Sequence, residues 1–263
     1  MAIKRYASIY LKLLNVNIKS KLEFAADFWI SSIGLILTNL TSLFTLYFIF
    51  QHIPMLGGVS YYDTIFIFSF FTISTSLHQI FFDNIWSIWI HFIEGSFIKY
   101  CLRPIDSMFY YLTESIDPKG FSQLILGIAL MAYSGANLNL NWSFINIIFL
   151  VVLLLCATSI YTSLMTIAAA LGFWITDPFE VISLVNRSKD FGKYPITIFN
   201  NATKFIITFV LPLGFVGFYP STFFVKDTIN FMSLMTVPVA LILFFAQRLI
   251  WKAGLNRYIP AGS

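Results

Sequence analysis

The sequence predicts an all-α integral membrane protein with six transmembrane helices, and three observations carry that prediction. Of 263 residues, 58% are hydrophobic and only 11% are charged, less than half the charged share of about 25% in an ordinary soluble domain. The charges are clustered, with no Asp, Glu, Lys or Arg between Asp27 and Asp63, between Lys119 and Asp177, between Lys204 and Lys226 or between Asp227 and Arg248. With six crossings and an inner N-terminus, every basic residue except Lys226 falls on one side, the asymmetry that orients membrane proteins. A chain this poor in charge cannot cover its surface with polar groups, so its solvent is lipid.

The elements follow in order. Residues 2–22 combine Ile3, Tyr6, Ile9, Tyr10, Leu13 and Leu14 with Lys4, Arg5, Lys12, Lys19 and Lys21. This pattern predicts a basic amphipathic helix lying in the membrane interface, its lysines among anionic headgroups. It carries too much charge ahead of the first apolar run, near Phe28, to be a cleavable signal peptide. The first and second spans are expected over 28–50 and 62–83, joined by a polar loop with Pro54, Gly57 and Gly58; each meets the roughly 20 apolar residues a bilayer requires.

Residues 84–118 are too many for a structureless loop. Ile90, Ile93, Phe97, Ile98 and Cys101 fit one helical face, with Glu94, Lys99 and Arg103 off it. The spacing predicts an amphipathic cytoplasmic helix ending at Leu102 or Arg103, just before Pro104. The third and fourth spans are expected over 120–136 and 144–171, and a second cytoplasmic segment over 172–202, with Asp177, Glu180, Arg187, Lys189, Asp190 and Lys193. The fifth span, 204–217, meets Pro212 and Gly214. The apolar stretch 215–224 after it is expected to dip back into the outer leaflet, where non-helical backbone must be buried in protein or face water. The sixth span is expected over 229–249, and residues 1–263 then form one membrane domain with both termini cytoplasmic.

The sequence holds no Gly-x-x-x-x-Gly-Lys-Ser/Thr loop, no His-Glu-x-x-His and no Gly-x-Ser-x-Gly. P-loop ATP binding, zinc hydrolysis and serine hydrolysis of those types are excluded, and the reading is of a non-enzymatic chain with no cofactor or metal of its own. His52, His78 and His91 are scattered over the topology, and Cys101 and Cys156 are expected to be free thiols. The predicted span centres lack acids and bases, against an ion-coupled transporter, which buries such groups. His78 comes nearest, at a helix end that suits packing or an interfacial hydrogen bond better than proton transfer. A membrane domain with no internal energy source but ordered cytoplasmic helices points to an external motor. The alternatives are an ion-coupled secondary transporter or channel and a non-transport membrane scaffold; nothing points to nucleic acid.

Four stretches carry a resemblance: the basic N-terminal helix running into Glu23-Phe24-Ala25-Ala26-Asp27-Phe28; Ile93-Glu94-Gly95-Ser96-Phe97 followed by Leu102-Arg103-Pro104; Val210-Leu211-Pro212 followed by Phe218-Tyr219-Pro220; and the tail Arg257-Tyr258 with Ala261-Gly262-Ser263. In this order they resemble the ABC-2-type permease family, in its branch of paired bacterial exporter permeases. The segment departs from the family pattern in carrying Phe97 and Ile98, then Lys99, where an Asp is common. The resemblance implies a plasma-membrane permease subunit with both ends in the cytoplasm, paired with a second permease, a paralogue. Two copies of a separate cytoplasmic ABC ATPase would drive it, holding ATP and Mg. It also implies that Ile93, Glu94, Gly95, Phe97, Lys99, Arg103 and Pro104 form the helix that couples to the ATPase, and that Pro212, Gly214, Tyr219 and Pro220 form a re-entrant outer gate.

Overall fold

A computed structural model describes Tyr10 and residues 25–175, 177–225 and 230–258. The interfacial helix expected over 2–22 therefore lies outside the described residues apart from Tyr10, as do Lys226 and the tail 259–263. The described chain is helical, and its only strand-like feature is a bridge between Leu56 and Val59. That bridge closes a turn in which Gly57 and Gly58 take φ of 60° and 80°, a backbone region that glycine enters without a Cβ penalty.

Four stretches are long and apolar enough to cross a membrane: Phe28–His52, Tyr61–Ile93, Phe144–Phe173 and Phe231–Leu255. Helix α1 (Ala25–His52) has only 6% of its most apolar stretch buried inside the chain, and α2 (Tyr61–Phe82) has 78%. Helix α2 is thus the axis of the bundle, and it opens with a capping box in which Ser60 and Asp63 satisfy each other's backbone amides. Its many hydroxyls carry no unmet polarity: Thr72, Ser74 and Ser76 each bond a carbonyl of their own helix at 2.8–2.9 Å.

Residues 83–119, after α2, fold into a 3₁₀ turn, Asp83–Ser87, and three short helices, α3 (Ile88–Ile93), α4 (Ile98–Cys101) and α5 (Ser107–Thr113). Helix α6 (Gly120–Asn137) then runs back along α2. A Cβ at Gly120 would stand 3.0 Å from the Ile80 nitrogen, and one at Gly127 would stand 3.2 Å from the Ile73 nitrogen. The two backbones touch through glycine, as small residues allow between membrane helices. At 18 residues α6, expected as the third span, is shorter and less apolar than the four stretches above. Helix α7 (Phe144–Ala170) and the last long helix, α12 (Thr236–Leu255), complete the bundle and pack on each other.

Two expectations about the stretch between α7 and α12 need correction. The fifth span over 204–217 is not one helix. Helix α9 (Asn201–Phe205) passes into a π turn, Ile206–Val210, and after Pro212 the chain turns by 73° into a 3₁₀ turn and α10 (Phe218–Val225). Proline has no N–H and its ring displaces the preceding turn, so a helix cannot pass through it unbroken. A four-residue helix, α11 (Phe231–Leu234), leads into α12.

The second correction concerns 172–202, which does not stay at one end of the bundle. It begins with α8 (Phe179–Ser188), whose Phe179 ring meets Trp86 and Trp89. It continues as a 3₁₀ turn, Lys189–Lys193, whose Gly192 lies against Phe71 at the midpoint of α2. It arrives with Thr197 against Gly57, in the turn at the opposite end. Polar side chains travel with it: Lys193 Nζ is 3.5 Å from Asp190 and 3.5 Å from Ser42 Oγ within α1. The four long apolar helices keep charge-free centres, and the charged side chains beside them come from this segment. A window of apolar residues does not register a charged segment that threads the bundle in short, broken turns.

Candidate functional site

The cytoplasmic helix expected before Pro104 is two helices. Gly95 takes φ of 67° and breaks the helix between Ile93 and Ile98, so α3 and α4 form a short hairpin. The face expected to run from Ile90 to Cys101 is divided accordingly. Phe97 is fully buried, whereas Ile90, Ile93 and Cys101 are exposed.

The hairpin is held by its own polar contacts. His91 Nδ1 lies 2.7 Å from Ser96 Oγ, the Phe97 amide donates to the His91 carbonyl at 3.2 Å, and the Tyr258 hydroxyl donates to the Gly95 carbonyl at 3.4 Å. Beneath it lies an aromatic base. Phe97 stacks on Phe92 at 5.1 Å and meets Phe173 at 5.3 Å, Trp251 at 5.9 Å and Tyr258 at 5.4 Å. The base joins the ends of α7 and α12 to the hairpin through packed side chains. Trp251 also donates its indole N–H to Ser107 at 3.2 Å, and Arg248 pairs with Asp106 at 3.6 Å.

Three groups here are electrostatically displaced. Burial, then the charge of Lys99, holds the His91 imidazole below its ordinary pKa against the opposing pull of Glu114 and Glu94. Burial pushes the Tyr100 hydroxyl up, reinforced by its hydrogen bond to Glu114, and burial raises Tyr111 as well. None of the three has the geometry of a nucleophile or general base.

Of the residues singled out for coupling, Ile93, Glu94, Lys99, Arg103 and Pro104 are exposed together on the hairpin's outer rim, with Leu102 77% exposed among them. Gly95 supplies the bend. Phe97 is the anchor beneath the rim and not part of its surface. Arg103 lies over the Tyr110 ring, 4.4 Å from its centroid. Leu102 is the surface residue that the sequence reading missed; its position just before Arg103-Pro104, past the end of α4, was the available signal.

Pro212, Gly214 and Pro220 are buried at and after the 73° bend. Tyr219 ties the two arms together through a 2.9 Å contact between its hydroxyl and Thr208 Oγ1, and its ring packs on Phe215 at 4.7 Å. These four residues build a packed elbow.

Several cavities flank this framework. One, about 650 Å³, is apolar, lies between α2, α5, α7 and α12, and has Tyr10 in its wall. Another, about 660 Å³, lies between α2, α6 and α7. A smaller one, about 280 Å³, is polar and lies between α2, α6, α7 and α8. His78 borders it, 4% exposed, with Nδ1 2.9 Å from Thr162 Oγ1 and its ring edge-on to Tyr161 at 4.6 Å. Among the described residues no cluster of three or more His, Cys, Asp or Glu is placed to hold a metal ion.

Long apolar helices with lipid-ready exterior faces, built on a bracing of short helices at one end, define a multi-pass membrane protein. The chain matches the ABC-2 family transporter protein family over residues 36–262 and belongs to that family, as a membrane permease component of ABC transport. No curated protein and no solved structure matches it.

Proposed function

We propose that this chain is the transmembrane permease subunit of a bacterial ATP-driven exporter, paired with a second permease and powered by separate ATPase subunits that carry ATP and Mg. The observation that carries the reading is the α3–α4 hairpin. It presents Ile93, Glu94, Lys99, Leu102 and Arg103 outward on a rigid aromatic base. Such a rim, apolar with charges of both signs, suits insertion into a groove of an ATPase. Closure of the ATPase dimer on ATP would push the rim, and the base would pass the push to α7 and α12, favouring one of two packings of the permease pair.

In this reading the chain crosses the membrane six times. The fifth crossing is the broken segment from Phe179 to about residue 198, with 201–225 a re-entrant hairpin entered from the outside. Both termini are then cytoplasmic. The sparsely covered α1, with Trp29, Ile33, Leu37, Phe44 and Phe48 exposed, faces lipid and the second permease, a paralogue on the family resemblance.

One observation favours a second reading. Lys189, Asp190 and Lys193 travel beside the spans, and an ion-coupled transporter buries such groups. Copurification separates the two. The proposal requires an ABC ATPase to accompany the tagged chain in mild detergent, and Gly95→Trp or Arg103→Glu to weaken the hold on the ATPase and abolish ATP-driven transport without loss of insertion. Transport that persists in both variants overturns the assignment of the hairpin.

A further inference from the structure

The apolar cavity of about 650 Å³ between α2, α5, α7 and α12 plays no part in the coupling reading. Its size falls within the range of about 300–1,000 Å³ that small-molecule sites occupy. We propose that it binds a neutral, apolar molecule drawn from the bilayer and bearing a hydroxyl, with that hydroxyl on the side-chain amide of Gln247.

The cavity is braced and it opens to the side. Trp251 bonded to Ser107 at 3.2 Å and Arg248 paired with Asp106 at 3.6 Å tie α12 to α5, which fixes the spacing of two of its walls. Leu155 on α7 and Phe244 on α12 border it and remain 58% and 39% exposed, so entry is from lipid.

One polar group in the wall has no partner. Gln247 borders the cavity, is 3% exposed, and its amide oxygen meets no donor among the described residues. The wall's threonines are already engaged. Thr113 donates to the Phe109 carbonyl at 2.7 Å, Thr158 donates to the Leu154 carbonyl at 2.9 Å, and Thr162 Oγ1 lies 2.9 Å from His78 Nδ1. Glutamine between membrane helices ordinarily bonds across to a neighbouring helix, and a buried amide oxygen left without a donor destabilises the fold. The last torsion of the side chain is soft, so the oxygen can turn to the cavity and accept from a ligand O–H.

Charge sets the remaining requirement. Arg248 carries the one formal charge among the described lining residues, and Asp106 already supplies its countercharge. An ion of either sign would enter an apolar space with no free partner, which burial makes costly. A neutral molecule with one donor meets both the apolar wall and the amide.

Photolabelling tests this. The full-length chain in phosphatidylcholine nanodiscs is irradiated with a diazirine derivative of hexadecanol, and labelled peptides are mapped by mass spectrometry. Hexadecanol, its methyl ether, palmitate and hexadecylammonium compete at matched concentrations in the bilayer. The site predicts saturable labelling of α5 and of residues 155–162 and 244–248. Hexadecanol should displace the label about tenfold better than the ether, which cannot donate, or than either ion; tenfold is about the worth of one hydrogen bond to an otherwise unpaired buried group. Gln247→Leu keeps the wall apolar and should reduce the alcohol to the level of the ether while leaving the ether unchanged. Equal displacement by alcohol and ether overturns the proposal without relying on any variant. Stronger displacement by palmitate overturns it too, by making Arg248 the anchor, as does labelling that does not saturate or that falls on α1 instead. The labelling needs no ATPase, so its outcome is independent of the exporter reading.

Discussion

Replacing Gly217 by alanine tests the point at which the segment through Gly192 and the bent pair of helices around Pro212 lock together. A Cβ at Gly217 would lie 2.2 Å from the Gly192 carbonyl oxygen, 3.0 Å from Phe71 Cβ and 3.3 Å from the Gly192 carbonyl carbon. Non-bonded carbon-sized atoms prefer about 3.5 Å, so the two segments must part by about 1 Å. The worst contact is with backbone, which cannot rotate away as a side chain does. Overpacking of this kind costs about 1–3 kcal/mol, a fall in melting temperature of roughly 3–10 °C for a chain of this size. The control is Gly34→Ala on α1, where a Cβ meets nothing within 4 Å; there alanine should leave stability unchanged or raise it by up to about 1 kcal/mol. Thermal unfolding in detergent, read by loss of the monodisperse chromatographic peak, compares the two. If Gly217→Ala melts with the wild type, Gly192 and Gly217 are not in contact, and the path drawn for residues 189–217 is wrong.

Other predictions follow from the same framework. Phe97→Ala removes a fully buried ring from the aromatic base and should cost about 3–5 kcal/mol, with the hairpin becoming protease-sensitive before the spans do; Leu102→Ala, 77% exposed, should leave stability within about 0.5 kcal/mol. With Cys101 and Cys156 replaced by serine, Thr197→Cys should react with a membrane-impermeant maleimide added outside intact cells, and Glu94→Cys should not; the reverse pattern contradicts the crossing assigned to 179–198. The His91 pKa is depressed on folding, so the unfolded chain takes up the proton first. The contribution of neutral His91 is therefore present above the unfolded value of about 6.5 and is lost as pH falls through that value towards the depressed one. Acid protease sensitivity of the hairpin should rise over this window in the wild type and stay flat in His91→Gln.

The long apolar helices were legible because membrane spans leave a compositional trace: α1, α2 and α7 fall within a few residues of the spans expected over 28–50, 62–83 and 144–171, and α12 lies about seven residues later than the span expected over 229–249. The elbow at Pro212 was legible too, since a proline past the first turn of a helix breaks or kinks it, whereas Pro220 and Pro238 sit in the first turns of α10 and α12 and leave them whole. Two things were not. Gly95 reads as an ordinary residue of an amphipathic stretch, because periodicity does not reveal whether a glycine continues a helix or enters the left-handed region. The run Arg187 to Lys193 reads as part of a cytoplasmic segment because its charges are dense and its helical pattern short. Only the contacts of Gly192 with Phe71 and of Lys193 with Ser42, and that of Thr197 just beyond with Gly57, show that the segment threads the bundle, and they join residues far apart in sequence. The polar cavity was hidden for the same reason: Lys189, His78 and Gln123 belong to three separate elements.

The central claim is that the α3–α4 rim receives force from an ATPase. The most direct measurement is ATP hydrolysis in material captured from native membranes by a tag on this chain, compared between wild type, Arg103→Glu and Lys252→Glu. Lys252 is an exposed basic residue near the end of α12 and off the rim. The account predicts that an ABC ATPase and its hydrolysis accompany the wild type and Lys252→Glu and fall sharply with Arg103→Glu. Capture without ATPase activity in the wild type, or equal activity in all three, would contradict it.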